Sequence, residues 1–363
     1  MTHKAGATHQ QILTPDTSKK LIDTYIGQLL KARRGQSLQI SPYYEAVWTA
    51  IENLYHAGGK RFRPYMTLLS YQAFGGQSVE SILPAAAAQE LLHQSMLVHD
   101  DIIDRDLVRY RIKNVTGQFN DSYATLIADD AERRHFAESA ALLAGDLLLS
   151  EAHIQVAHSS VPADKVMDAQ RILADAVFHV VGGELLDTEA SFRGILDIDP
   201  LTIASQKTAS YSFVSPLTMG ATLADASSEQ LAVLKHVGNA VGIAYQLRDD
   251  IMGVFGDETV TGKSSQGDIC EGKRTLLIDE FYKRSTKSQQ DVFETVFGVA
   301  TATAADITMV RNLLIDTGAK SAIESYIASY QAQTIEQLSQ LNISEPYRQT
   351  FADLIQNSLE RES

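Results

Sequence analysis

The chain has 363 residues, 44% of them hydrophobic, and its acids outnumber its bases by 45 to 31, for a formal charge of -14. That much apolar side chain supports a sizeable core and excludes a disordered chain. The acidic balance argues against nucleic acid or an anionic membrane as partner, and the single cysteine, Cys270, excludes an internal disulfide and suits a reducing cytoplasm.

The first twenty residues (MTHKAGATHQQILTPDTSKK) are polar and lack the apolar stretch of a secretory signal. No uninterrupted apolar run reaches transmembrane length, because Glu90 splits AAAAQELL and Asp146 splits ALLAGDLLL, so no membrane span is expected. Apolar residues at three- and four-residue spacing predict helices over 43–56, 65–74, 84–106, 136–158, 165–192, 201–223, 229–255, 274–284, 289–299, 303–315, 319–339 and 346–360. Prolines at 42, 84, 200 and 346 mark helix starts, and the glycine pairs at 58–59 and 75–76 mark helix ends. Strand signals are scarce. These signals give an all-α protein of roughly a dozen helices in one domain, 1–363, with 84–106, 136–158, 201–223 and 229–255 apolar enough to form the inner wall of a bundle.

Along this frame the charged residues fall in a pattern. GGKRFRP (58–64) sets Lys60, Arg61 and Arg63 at a helix start, an arrangement that suits an anion. The helix over 84–106 runs into HDDIIDRD. On it Asp100 and Asp104 share a face and Asp101 lies one step round, while His93 lies two turns back on the same face and His99 turns away. Stacked carboxylates repel unless a cation sits between them, and hard oxygen ligands at a helix end suit Mg²⁺. A merely solvated helix end is the alternative, weakened because a second apolar helix also ends in an acid pair, QLRDD, with Asp249 and Asp250. There Gly253 stands where a third aspartate could be, which suggests one ion rather than two.

The polar stretch 110–135 reads as a long loop or surface insertion, with Asp129-Asp130 a solvated turn. Pro216 should kink its helix near 212–215, about two turns after Lys207 and Thr208. Residues 256–274 carry four glycines with Lys263 and Lys273 and read as a lid or a surface loop. The implied ligand has diphosphate groups and an apolar tail, and Mg²⁺ supplies the positive charge an acidic protein lacks.

The ordered set GGKRFRP, ELLHQSMLVHDDIID, LLAGDLLLS, GGELLD, KT, QLRDDIMGVFGD, TGK and EGKRT resembles the trans-isoprenyl diphosphate synthases (polyprenyl synthetases). The resemblance implies an all-α single-domain bundle around a deep apolar cavity, usually a homodimer, and a prenyltransferase that joins isopentenyl diphosphate to an allylic diphosphate. It implies that Asp100, Asp101 and Asp104 bind two Mg²⁺ ions, and that Asp249 and Asp250 bind a third. It assigns Lys60, Arg63 and His93 to isopentenyl diphosphate, and Arg109, Lys207, Thr208, Gln246, Lys263 and Lys273 to the allylic diphosphate. Among these, Asp100, Asp101, Asp104, Lys207, Asp249 and Lys263 stand closest to the chemistry. Tyr110 departs from the family pattern, which has a second arginine there, and Glu184 replaces a glutamine. The small Ser95 and flexible Met96, five and four residues before Asp100, point to a product longer than farnesyl, with geranylgeranyl diphosphate the first choice. Farnesyl and medium-chain products are the alternatives, ahead of a terpene cyclase or a non-catalytic subunit.

Overall fold

The computed structural model describes residues 11–194, 197–256 and 267–359. The chain packs as two compact units, Met1–Leu173 with Thr218–Ala226, and Ala174–Leu217 with Ser227–Ser363. Both are helical, and the strands among the described residues are two-residue pieces, Val108–Arg109 (β1) and Ile112–Lys113 (β2).

The first unit opens with α1 (Pro15–Ile40), a helix beyond those that apolar spacing predicts. Its start is nevertheless written in the sequence: Thr14 accepts a hydrogen bond from the Thr17 N–H, and Pro15 takes the first helical position. Only Ile22, Ile26 and Leu30 form its buried stripe. Polar bonds complete its attachment. Tyr25 donates to Gln155 (2.5 Å), Gln155 donates to Glu151 (2.6 Å), and the Arg33 guanidinium meets Glu151 at 2.7 Å. There follow α2 (Pro42–Ala57), capped by the Ser41 hydroxyl, α3 (Phe62–Ala73) and α4 (Val79–Ile103). Helix α4 begins five residues before Pro84, so that proline lies inside the helix rather than at its start.

The polar stretch after α4 is not one loop. It holds the β1–β2 hairpin and α5 (Val115–Ser122), whose Val115 and Phe119 are buried. Two signals mark α5: the Asn114 side chain caps the Gly117 N–H, and two apolar residues stand four apart. Next comes α6 (Asp130–Ala157), which packs along α4 and buries Ala137, Ala140, Ala141, Ala144 and Gly145. Gly145 sets their separation: a Cβ there would lie 2.0 Å from the His99 ring, and its carbonyl accepts from the Ser95 hydroxyl at 2.8 Å. Helix α6 alone among the described helices is long and apolar enough to cross a membrane, and half of its most apolar window is packed inside the protein, as in a core helix. Helix α7 (Ala163–Ala190) holds residues of both units.

In the second unit, α8 (Pro200–Ile203), capped by Asp199, runs into an eleven-residue π-helix, Ala204–Val214, and then into α9 (Ser215–Leu223), which like α7 holds residues of both units. The expected proline kink is thus absorbed as a wider turn. Pro216 has no N–H for the carbonyl four residues earlier, and an i→i+5 ladder brings the next donor to it. The Ser215 N–H bonding to the Ser210 carbonyl shows that register. The π-helix lies on α10 (Ser228–Phe255), where Gly238 and Gly242 leave room: Cβ atoms there would come within 2.9 Å of Val214 and 2.3 Å of Ala209. Then follow α11 (Gly267–Cys270), α12 (Leu276–Arg284), α13 (Lys287–Glu294), α14 (Ala304–Asp316), α15 (Ala319–Ser339) and α16 (Glu345–Leu359).

Candidate active site

The first unit gathers charge at the end of α4. Asp104 caps the helix and its N–H still bonds to the Asp100 carbonyl at 2.8 Å, so the four-residue stacking survives to the last turn. Asp101 is buried, and Arg109, delivered by the hairpin, clamps the pair: its Nε donates to Asp101 at 2.7 Å and its Nη2 to Asp100 at 3.2 Å. Burial pushes the Asp101 carboxyl up to about 6, against the lowering effect of Arg109, and its Oδ2 is buried without a hydrogen-bond partner. A buried carboxylate oxygen lacking a donor is costly unless a cation reaches it. Among the described residues no three acidic, histidine or cysteine side chains converge tightly enough to hold an ion by themselves.

The basic cluster divides in two. Arg61 is buried and its guanidinium is fully employed. It donates to the Gly58 carbonyl (2.8 Å), the Tyr55 carbonyl (2.8 Å), Glu90 (3.0 Å) and Asp23 of α1 (2.8 Å), and stacks on the Tyr55 ring at 3.8 Å. Arg61 therefore holds the loop, while Lys60 is exposed and Arg63 half-buried. His93, further back on α4, feels burial and then the charges of Arg63, Arg109 and Arg61, which hold its pKa well below the usual histidine range. It therefore stays neutral at pH 7. Ser95 is packed against α6, and Met96 is half-buried.

The second unit carries the other set. Gly183 lets α7 touch the π-helix, since a Cβ there would lie 2.2 Å from the Lys207 nitrogen. Two acids of the same GGELLD stretch then hold the Lys207 ammonium, Glu184 at 3.0 Å and Asp187 at 2.6 Å. The neighbouring Thr208 hydroxyl donates to Gln246 (2.5 Å), and Gln246 donates to Asp250 (2.9 Å). Asp250 is buried, and burial pushes its carboxyl up to about 7, opposed by Lys273 and Gln246 and assisted by Asp268 and Asp249. Asp249, one step round, is exposed. The Lys273 ammonium is disfavoured by burial, but Asp268, Asp250 and Asp187 outweigh this and raise its pKa. Lys263 lies outside the described residues, as does most of the expected lid.

Asp268 escapes the sequence reading. A Cβ on Gly253 would lie 1.9 Å from its Oδ2, so a carboxylate from α11 fills the space at the third position after Asp250. The signal available was the gap itself: a glycine where the spacing calls for an acid, followed by another aspartate downstream. Carboxylates outnumber the two lysines here, and the surplus buried negative charge again suits a divalent cation.

A family model for polyprenyl synthetase matches residues 44–314. The chain belongs to the polyprenyl synthetase family. This prenyltransferase is 28% identical over 321 residues to the geranylgeranyl diphosphate synthase of Methanosarcina mazei, covering 88% of this chain and 89% of that one. It is 31% identical over 294 residues to the geranylfarnesyl diphosphate synthase of Aeropyrum pernix, covering 80% and 86%. Among solved structures, the geranylgeranyl pyrophosphate synthase of Corynebacterium glutamicum, complexed with isoprenyl diphosphate and magnesium, superposes with a TM-score of 0.88 at 28% identity, over 96% of this chain and all of that one. The family assignment and the all-α architecture thus agree with the motif order and helical spacing.

Proposed function

We propose that this enzyme condenses isopentenyl diphosphate with an allylic diphosphate to an all-trans prenyl diphosphate, releasing diphosphate, with geranylgeranyl diphosphate as main product. The observation that carries this reading is Asp101, a buried carboxylate at the end of α4 with a raised pKa and an oxygen still lacking a partner. Relatives named for geranylgeranyl and geranylfarnesyl products support a product longer than farnesyl. The protein acts as a single catalytic domain, cytoplasmic and homodimeric.

Asp100, Asp101 and Asp104 would hold two Mg²⁺ ions and Asp249 and Asp250 a third, with substrate bound; Mg²⁺ would supply positive charge to the leaving diphosphate. Arg109, Lys207, Lys263 and Lys273 bind that diphosphate, with Thr208 and Gln246 orienting its oxygens. Charge placed in advance where the leaving group develops is worth more than charge recruited during the step. Lys60, Arg63 and neutral His93 hold isopentenyl diphosphate. The allylic C–O bond breaks, the double bond of isopentenyl diphosphate attacks the allylic carbon, and a proton leaves to the departing diphosphate. An apolar cavity keeps water from the cation, with Ser95 and Met96 along the wall that sets product length.

Incubation with isopentenyl and farnesyl diphosphates should yield a twenty-carbon product and free diphosphate, and EDTA should abolish both. Asp100→Ala or Asp104→Ala should lower kcat by about a thousandfold or more. Turnover near wild type in either variant, or farnesyl diphosphate left unextended, sinks the corresponding part of the assignment.

A further inference from the structure

The two strands after α4 pair Val108 with Lys113 and Arg109 with Ile112, so Tyr110 and Arg111 alone make the turn. Both have positive φ, 53° and 64°. That is the pattern of a type I′ hairpin, which ordinarily uses Asn-Gly because a large side chain in the left-handed region costs energy. Such strain persists only where the surroundings fix it. Here it delivers the Tyr110 ring onto Gly58: a Cβ at 58 would lie 3.3 Å from two of the ring carbons. At the next residue, Gly59 has a φ of 110°, and a Cβ there would lie 2.1 Å from Arg61 Nη1. The turn that presents Lys60 is thus bounded by two side chains, the Arg61 guanidinium and the Tyr110 ring. Arg61 is anchored by Asp23 and Glu90, and Tyr110 by its own hairpin, which also delivers Arg109 to Asp100 and Asp101. The residue as a whole is 40% exposed, but the phenol faces Arg109, Arg63, Arg61 and Glu90, and partial loss of water pushes its pKa up, so it remains neutral among them.

We propose that Tyr110 is a positioning residue for the isopentenyl diphosphate subsite: its ring buttresses the Gly58–Lys60 turn and fixes Lys60 and Arg63. The inference rests on the assignment of Lys60, Arg63 and His93 to that diphosphate. The ring is the working part, because ring carbons meet Gly58. A residue that the family pattern would make a charged ligand acts here through the loop instead.

The test compares Tyr110→Phe, Tyr110→Asn, Gly58→Ala and the Gly58→Ala/Tyr110→Asn double variant by KM for each substrate and by Tm. Asparagine tolerates the left-handed region, so Tyr110→Asn keeps the turn and should leave Tm within about 2 °C of wild type. It should raise the KM for isopentenyl diphosphate about tenfold and leave that for the allylic substrate unchanged. Tyr110→Phe should keep the wild-type value. Gly58→Ala, which displaces the ring, should raise the same KM alone but add little to Tyr110→Asn. If Tyr110→Phe behaves like Tyr110→Asn, the hydroxyl is a direct ligand and the proposal is wrong. It is equally wrong if Tyr110→Asn changes neither KM or both alike. A wild-type protein that releases no diphosphate from the two substrates would instead defeat the proposed function.

Discussion

Three buried aspartates carry raised pKa values for the same first reason, loss of water, but they differ in what relieves them. Asp101 and Asp250 face the proposed metal positions. Asp279 of α12 lies among Lys283, Asp199, Glu280 and Arg274, and burial pushes its carboxyl up to about 6. A folded-state pKa above the usual carboxylate value means the folded protein binds that proton more tightly than the unfolded chain. From this group, stability is therefore greatest below about pH 4, falls as pH rises to about 6, and stays reduced above. Asp279→Asn removes the charge, so its Tm should match wild type at pH 4 and exceed it by a few degrees at pH 7.5. An equal difference at both pH values would show that the charge is not the cause. The aspartate and lysine candidates were legible because charged residues at the ends of apolar helices are conspicuous. The environment of Ser95 was not. Spacing puts it on a face of α4, but only the close approach of α6 at Gly145 decides that its hydroxyl is spent on a carbonyl.

At the level of elements, the π-helix is the largest departure from what spacing predicts. Periodicity marks 201–223 as helical and cannot tell a 3.6-residue turn from a wider one, so the segment reads as a kinked α-helix. Widening changes which way each side chain faces, and it is in this register that Lys207 meets Glu184 and Asp187, and Thr208 meets Gln246. Pro216→Ala restores the missing N–H and permits an ordinary α ladder through 204–214. The variant should keep or raise Tm, while the KM for the allylic diphosphate rises about tenfold because Lys207 and Thr208 rotate off their partners. An unchanged KM would mean that the wide turn does not depend on the proline. Helices α1 and α5 went unseen for the opposite reason. Each buries few apolar residues, and tertiary bonds such as Tyr25 to Gln155 supply what amphipathicity does not.

For the molecule as a whole, the all-α class followed from the absence of strand periodicity, and the acidic balance foreshadowed a need for cations. What the sequence could not announce is how far back from the site the supporting structure extends. The family match begins at residue 44, yet Asp23 of α1 bonds to Arg61, the residue that pins the Gly58–Lys60 turn. A fragment cut at that boundary, 44–363, leaves a buried guanidinium with only one of its two carboxylate partners; because Asp23 is part-exposed and Glu90 remains, the loss is that of one charged hydrogen bond, about 1–3 kcal/mol. It should unfold at lower temperature than the full chain and bind isopentenyl diphosphate more weakly, and Asp23→Asn in the full chain should reproduce the weaker binding. A fragment with full stability and affinity would place α1 outside the working enzyme. If it fails as expected, the inheritable unit of this catalyst is longer than the stretch by which its kin are identified. Trimming, tagging or domain fusion at its front edge then becomes an intervention in substrate binding.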